Sequence, residues 1–184
     1  MHLGFLLSSL LDVISTVSEL CDGFIADRFQ STIFPHMSRL FETFLREVDG
    51  SCNEKEIICS SLLFAKEDGK MLNALLDCVY RVFSANGSHL LAMVPSVGSI
   101  IFPFIALDGP IGDSAMEAMK ALVTVDSDSL WRALLITSGM GIPERPLLPM
   151  KRHVNAIAET PLSRRCLEII NYVHELPEQD ILNY

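Results

Sequence analysis

Two stretches decide the fold of this chain: Phe-Pro-His-Met-Ser-Arg-Leu-Phe-Glu-Thr-Phe-Leu at residues 34–45, and Val-Pro-Ser-Val-Gly-Ser-Ile-Ile-Phe-Pro-Phe-Ile at residues 94–105. When position 35 is aligned with position 95, every apolar position of the first stretch is apolar in the second. The spacing is that of one helix face with a proline in its first turns, where backbone N–H groups lack partners anyway. The aligned repeat positions are Pro35, Leu40, Phe41 and Phe44 in the first copy, and Pro95, Ile100, Ile101 and Phe104 in the second.

A repeated amphipathic helix of this kind is typical of stacked helix pairs. Helical spacing recurs along the whole chain, whereas the alternation typical of strands is scarce. We therefore expect an all-α fold, a right-handed α-solenoid of antiparallel helix pairs of the HEAT or armadillo kind.

Composition favours an ordered, helical protein and disfavours nucleic acid as the partner. Apolar residues make up 49% of the 184-residue chain and charged residues 20%, which argues against disorder over most of it. The net charge is −9, from 14 basic and 23 acidic residues, whereas phosphate binding needs a basic surface. The five cysteines are odd in number and contain no Cys-x-x-Cys motif, as in reduced intracellular proteins.

Turn signals divide the chain into four parts. Residues 1–138 are predicted to form HEAT-like helical repeats, with a loop or insertion near 49–70 where the apolar spacing weakens. Residues 139–159 are rich in proline and glycine and predict an irregular connector. Residues 160–176 predict a C-terminal helix, and residues 177–184 an acidic tail that frays.

Short polar residues mark the predicted starts of the later helices. Asp113 or Ser114 is expected to cap one helix, and Asp126 or Asp128 the next. Thr160 is expected to cap the last helix, which has a proline at its first position.

The N-terminal helix has no polar outer face. Its apolar residues fall at three- and four-residue steps, and no capping residue or partner helix precedes them. Because a terminal repeat normally has a polar outer face, we expect the sequence to be a fragment or short product of a larger protein. The residues concerned are Leu3, Leu6, Leu7, Leu10, Ile14 and Val17.

An uncharged stretch from Leu90 to Leu107 is close to the length that spans a bilayer. Two prolines, a glycine and two serines lie within it, and no closely flanking Lys or Arg anchors its ends. We expect a helix buried in a stack, with a small membrane-associated helical protein as the less favoured alternative.

No motif for catalysis or cofactor binding is found, so we expect no cofactor, no metal site and no enzyme activity. The five histidines form no metal-ligand spacing, and there is neither a nucleophile elbow nor a phosphate-binding loop.

Three residues are candidates for a partner interface. Asp27 and Arg28 are either a partner-facing pair or a solvated helix face, and exposed pairs usually contribute little. Trp131 follows two acidic residues; it either packs into the core at a helix junction, which we favour, or is an interface hot spot.

Several segments together resemble a known family. Residues 18–24, Arg28-Phe29, residues 33–35 and residues 40–45, followed later by residues 115–131 with Leu130-Trp131, are similar to the C-terminal HEAT repeats of the large Tel-two-interacting subunit of the Triple T (TTT) complex. The resemblance covers residues 3 to 175 and is most specific at residues 18–45.

The resemblance implies a non-catalytic co-chaperone scaffold. Its expected partners are other HEAT-repeat subunits, heat-shock chaperone factors and phosphatidylinositol-3-kinase-related kinases, which the family helps to mature and stabilise. It implies a cytoplasmic location, with the nucleus as a second one. The family's proteins are several times longer than this chain, and an unrelated HEAT or armadillo adaptor, for example in transport, is the alternative.

Overall fold

The computed structural model describes residues 2–21, 23–50, 67–138 and 160–176, which are almost entirely helical and contain no strand. The all-α prediction is confirmed for these ranges. A π-helical turn at Phe29–Ile33 joins the second helix to the third, and 3-10 segments lie at Gly87–His89, Leu91–Met93 and Phe102–Ala106. The helices are α1 (His2–Leu20), α2 (Ala26–Arg28), α3 (Phe34–Gly50), α4 (Glu67–Asn86), α5 (Val94–Ile101), α6 (Pro110–Val125), α7 (Ser127–Thr137) and α8 (Pro161–Glu175).

The helices follow two series of neighbours. In the first series α1 packs against α4, α4 against α6, and α6 against α8. In the second, α3 contacts α5 and α5 contacts α7. The two series meet where α3 touches α4, α5 touches α6, and α7 touches α6 and α8. A single apolar core draws residues from all eight helices.

The two aligned stretches are equivalent in their burial. Both prolines are exposed, positions 40 and 100 are half-buried, positions 41 and 101 are buried, and the aromatic residues at positions 44 and 104 are buried. Phe41 and Phe104 also touch across the copies, with ring centroids 5.8 Å apart. The matched pairs are Pro35 with Pro95 (exposed), Leu40 with Ile100 (half-buried), Phe41 with Ile101 (buried) and Phe44 with Phe104 (buried).

The first copy does not begin a free helix, contrary to the expectation of a proline in a first turn. The helical backbone already runs from Ala26 and passes through the π turn directly before Phe34. There the N–H of Phe34 bonds the carbonyl of Phe29, five residues back. Proline inside an α-helix clashes with the carbonyl four residues earlier, and the wider turn lies immediately before Pro35.

The second copy is shorter than the first because Pro103 follows closely. Here Pro95 does lie in the first turn of α5, as expected, but the α-helix ends at Ile101 and continues as a 3-10 segment. The uncharged stretch 90–107 is therefore three short segments. No helix in the described ranges is long and apolar enough to cross a bilayer.

Helix α6 starts earlier than its expected cap. Gly109, with a φ of 79°, precedes Pro110 in the first position of the helix, so Asp113 lies in the first turn and is not the cap. A Cβ at Gly112 would lie 1.8 Å from the carbonyl oxygen of Leu107. Only glycine therefore lets the loop before α6 approach its first turn so closely.

The other two caps agree with the sequence. The Asp126 side chain accepts a hydrogen bond from the N–H of Ser129 at the start of α7 (3.2 Å). The Thr160 hydroxyl accepts one from the N–H of Ser163 at the start of α8 (3.1 Å).

Several predicted segments fall outside the described residues. These are the connector at 139–159, the tail at 177–184 and positions 51–66 of the predicted insertion near 49–70. At the edges of that insertion the structure is helical, since α3 runs to Gly50 and α4 already begins at Glu67.

Candidate protein-interaction surfaces

Helix α1 has two apolar faces. Leu11 is buried, Leu7 and Ile14 pack against the core, and the small buried Ser15 and Ser18 let α4 come close. Leu6, Leu10, Val13 and Leu20 are exposed instead and point away from this contact. The apolar residues that sequence spacing assigns to one amphipathic face are therefore divided between two.

The second face is the α1 seam, which we define as Leu6, Leu10, Val13, Val17 and Leu20. Val17 is half-buried and the other four are exposed, from 55% for Leu10 to 78% for Leu20. Phe24, in the turn after the helix, is also 75% exposed. The steps along it alternate between four and three residues, which is the heptad spacing of helices that pack lengthwise on another helix. Exposed apolar side chains grouped in this way make the seam a candidate protein-interaction surface.

A buried amide holds the C-terminal end of α1 in place. The side-chain N–H₂ of Asn86, at the end of α4, donates to the carbonyl of Ser18 (2.9 Å) and to its hydroxyl (2.6 Å). Its side-chain oxygen accepts from the N–H of Gly23 (2.7 Å). Asn86 is only 1% exposed, so these bonds replace water at the helix corner. No local sequence pattern reveals this role of Asn86, because its partners lie more than sixty positions away in the chain.

Gly23 is required at the same corner for two reasons. Its φ of 67° lies in the left-handed region that glycine adopts without strain. A Cβ there would also lie 3.0 Å from the His89 ring. The corner between α1 and α2 is thus fixed by backbone conformation, by the amide bonds and by contact with the segment that follows α4.

Charged residues join α1 to α4 on the side away from the seam. The guanidinium of Arg81 donates to both carboxylate oxygens of Glu19, at 2.6 and 3.0 Å, and lies 3.7 Å from Asp12 and 3.9 Å from Asp77. The hydrogen bond from Arg81 holds the pKa of the Glu19 carboxyl below its usual value. The acidic residues of α1 are therefore directed toward α4, and the flanks of the seam are left without charge.

The opposite end of the first helix series is polar. The outer face of α8 carries exposed polar residues at steps of four, three and four. Arg165 reaches across to Asp113 of α6 (2.9 Å) and pairs with Glu168. The outer face of α8 is therefore polar, whereas α1 carries the apolar seam. The outer residues of α8 are Arg164, Glu168, Asn171 and Glu175.

The interface candidates Asp27 and Arg28 lie together on α2 and both are exposed. Trp131, the third candidate, lies on a different helix, α7.

Trp131 packs at the junction of α7 and α8. Its ring is half-buried, contacts the core, and meets the ring of His174 edge to face with centroids 5.7 Å apart. This is the helix-junction position that the sequence favoured, although the ring is not fully enclosed.

The described thiols are of two kinds. Burial raises the pKa of Cys78 to about 11 and that of Cys166 to about 12, so both remain neutral fillers. Cys21, in contrast, is exposed at the end of α1.

In the described ranges no group of three or more His, Cys, Asp or Glu side chains is placed to hold a metal ion. No family model matches the chain, and comparisons with curated proteins and with solved structures found no match.

Proposed function

We propose that this chain is a non-catalytic scaffold that binds other proteins through stacked helix pairs. The observation that carries the proposal is the equivalence of the two proline-bearing stretches, which share their burial pattern and touch through Phe41 and Phe104. Repeats that contact their neighbours in series bury a continuous core and present extended faces.

The finer architecture belongs to the same proposal. The order of contacts, α1 to α4 to α6 to α8 and α3 to α5 to α7, is that expected if consecutive antiparallel pairs stack into a right-handed solenoid of the HEAT or armadillo kind. The step from architecture to function rests on analogy with other helical-repeat proteins, because such chains mostly bind proteins.

We further propose that the partners are those implied by the resemblance to the large Tel-two-interacting subunit. They would be HEAT-repeat subunits, heat-shock chaperone factors and phosphatidylinositol-3-kinase-related kinases, in the cytoplasm and nucleus. Support comes from the segment around residues 18–45, which carries the most specific part of the resemblance and forms the corner from α1 to α3.

Affinity purification of the tagged chain from cells, followed by mass spectrometry, tests this proposal. Kinases of this class and chaperone factors should be enriched over an untagged control. Enrichment of transport factors without these kinases would instead support an unrelated helical-repeat adaptor, and recovery of no protein partner would contradict the scaffold itself.

A pair of charge-reversal baits locates the binding face. Exchanging the charges of α2 with Asp27→Arg and Arg28→Glu should reduce kinase recovery if this exposed pair contacts a partner. The matched control exchanges Glu117→Lys and Lys120→Glu on α6, an ion pair of an exposed carboxylate and a half-buried ammonium group that is 2.7 Å apart and can re-form after exchange. Equal recovery with both baits would remove Asp27 and Arg28 from the interface.

A further inference from the structure

The seam of α1 has the spacing of a helix-pairing surface. Its steps of four, three, four and three continue from Leu6 to Leu20, which spans about 21 Å of helix axis. A strict alternation of this kind keeps a stripe facing one partner helix, whereas a core-facing helix uses a broader stripe. The contact of α1 with the core is made on its other side, by Leu11 and its neighbours.

The residues that flank the seam carry no charge, which favours an uncharged partner helix. On one side its flank carries Leu7 and Ile14, and on the other Ser9 and Thr16. In heptad pairs these flanking positions choose the partner by charge, and here they offer no charge to a basic or acidic helix. The same helix in a second copy of the chain meets this condition, despite the net charge of −9, because Glu19 pairs with Arg81 and Asp12 lies 3.7 Å from the same guanidinium, on the side of α1 toward α4.

Head-to-tail stacking of copies is disfavoured by the other end of the molecule. Laying the seam of one copy on α8 of another would bury charged residues such as Arg164 and Glu168 against leucine, without partners for their charges. Pairing the seam of one copy with the seam of the other buries leucine and valine against leucine and valine. Such a contact is isologous and closes as a two-fold dimer.

We propose that two copies of this chain associate through an antiparallel pair of α1 helices. The antiparallel direction opposes the two helix dipoles and keeps the two corners at Gly23 at opposite ends of the pair. Full overlap of the helices then sets Leu10 of one copy opposite Val13 of the other, and Leu6 opposite Val17. This association does not depend on the proposed kinase partners.

The size of the seam sets the expected affinity of the dimer. One helix face about 21 Å long buries less than the area of a standard stable interface, so the dissociation constant should lie in the micromolar range. Sedimentation equilibrium of the purified chain at about 1 to 300 µM covers that range. The wild-type protein should convert from monomer to dimer across this concentration range. A wild-type protein that stays monomeric throughout overturns the proposal. This holds even if the monomer binds phosphatidylcholine vesicles through the seam.

A single charge introduced into the seam tests whether this surface forms the dimer contact. Leu10→Glu should weaken dimerisation by about thirtyfold or more, as for a central interface residue. The matched control is Ile136→Glu on α7, whose side chain is 51% exposed against 55% for Leu10. It should leave the dissociation constant unchanged. Thermal unfolding followed by circular dichroism should show that both variants fold, and equal dimerisation of the two overturns the proposal.

Mixed variants test the direction and register. An equimolar mixture of Leu10→Glu and Val13→Lys should form a heterodimer, because the two charges face each other across the antiparallel pair, while each variant alone stays monomeric. A mixture of Leu10→Glu and Leu10→Lys should not, since position 10 faces itself only in a parallel pair. Heterodimer in the second mixture but not in the first would overturn the antiparallel arrangement.

Discussion

Replacing Asn86 with alanine should destabilise the protein more than its position at a helix end suggests. The substitution removes three hydrogen bonds that join α4 to the end of α1 and to the Gly23 corner. Leaving a buried polar group without a partner costs about 1–3 kcal/mol. Because the Gly23 N–H is at a half-exposed residue while Ser18 is buried, we expect a total loss of about 3 kcal/mol.

Urea unfolding followed by circular dichroism measures this loss directly. In a chain of this size the loss corresponds to a fall in Tm of about 6–12 °C. The matched control is Asn171→Ala, an exposed asparagine on the outer face of α8, which should change stability by less than about 0.5 kcal/mol.

A double-mutant cycle measures what the hydrogen bond from the Asn86 amide to the Ser18 hydroxyl contributes to this loss. Ser18→Ala should cost about 1 kcal/mol less in the Asn86→Ala background than in the wild type, because its partner is already absent. An Asn86→Ala variant as stable as Asn171→Ala, or a cycle without coupling, would refute the assignment of this amide as the link between α1 and α4.

Three further outcomes follow from single contacts. Gly112→Ala should lower stability by about 2 kcal/mol in urea unfolding, because its Cβ would overlap a backbone carbonyl; an unchanged midpoint would contradict the close approach. At pH 8, iodoacetamide should label Cys21 but not Cys78 in the folded protein, by mass spectrometry, since burial raises the pKa of Cys78 to about 11. The folded pKa of that thiol exceeds its unfolded value, so its contribution to stability is present at neutral pH and is lost as the pH rises toward 11. In an NMR titration the Glu19 carboxyl should titrate below its usual pKa, and Arg81→Ala should return it to the usual range; the stabilisation from this pair is lost as the pH falls through the lowered pKa.

The sequence by itself determined the class of the fold and much of its local detail. The repeat of apolar spacing after Pro35 and Pro95 predicts two equivalent helices because burial of one helix face follows a period of 3.6 residues. The caps Asp126 and Thr160 were also predictable, since a short oxygen-bearing side chain satisfies the N–H groups next to it in sequence.

Only the tertiary structure decided which apolar face of α1 is covered. Leu7 and Leu10 both belong to an apolar helix in the sequence, yet one packs against the core and the other is exposed. The same holds for Asn86 and Gly23, whose bond joins positions distant in the chain. Local sequence patterns indicate on which side of its own helix a residue lies. Which other helix packs against that side depends on contacts that exist only once the chain has folded.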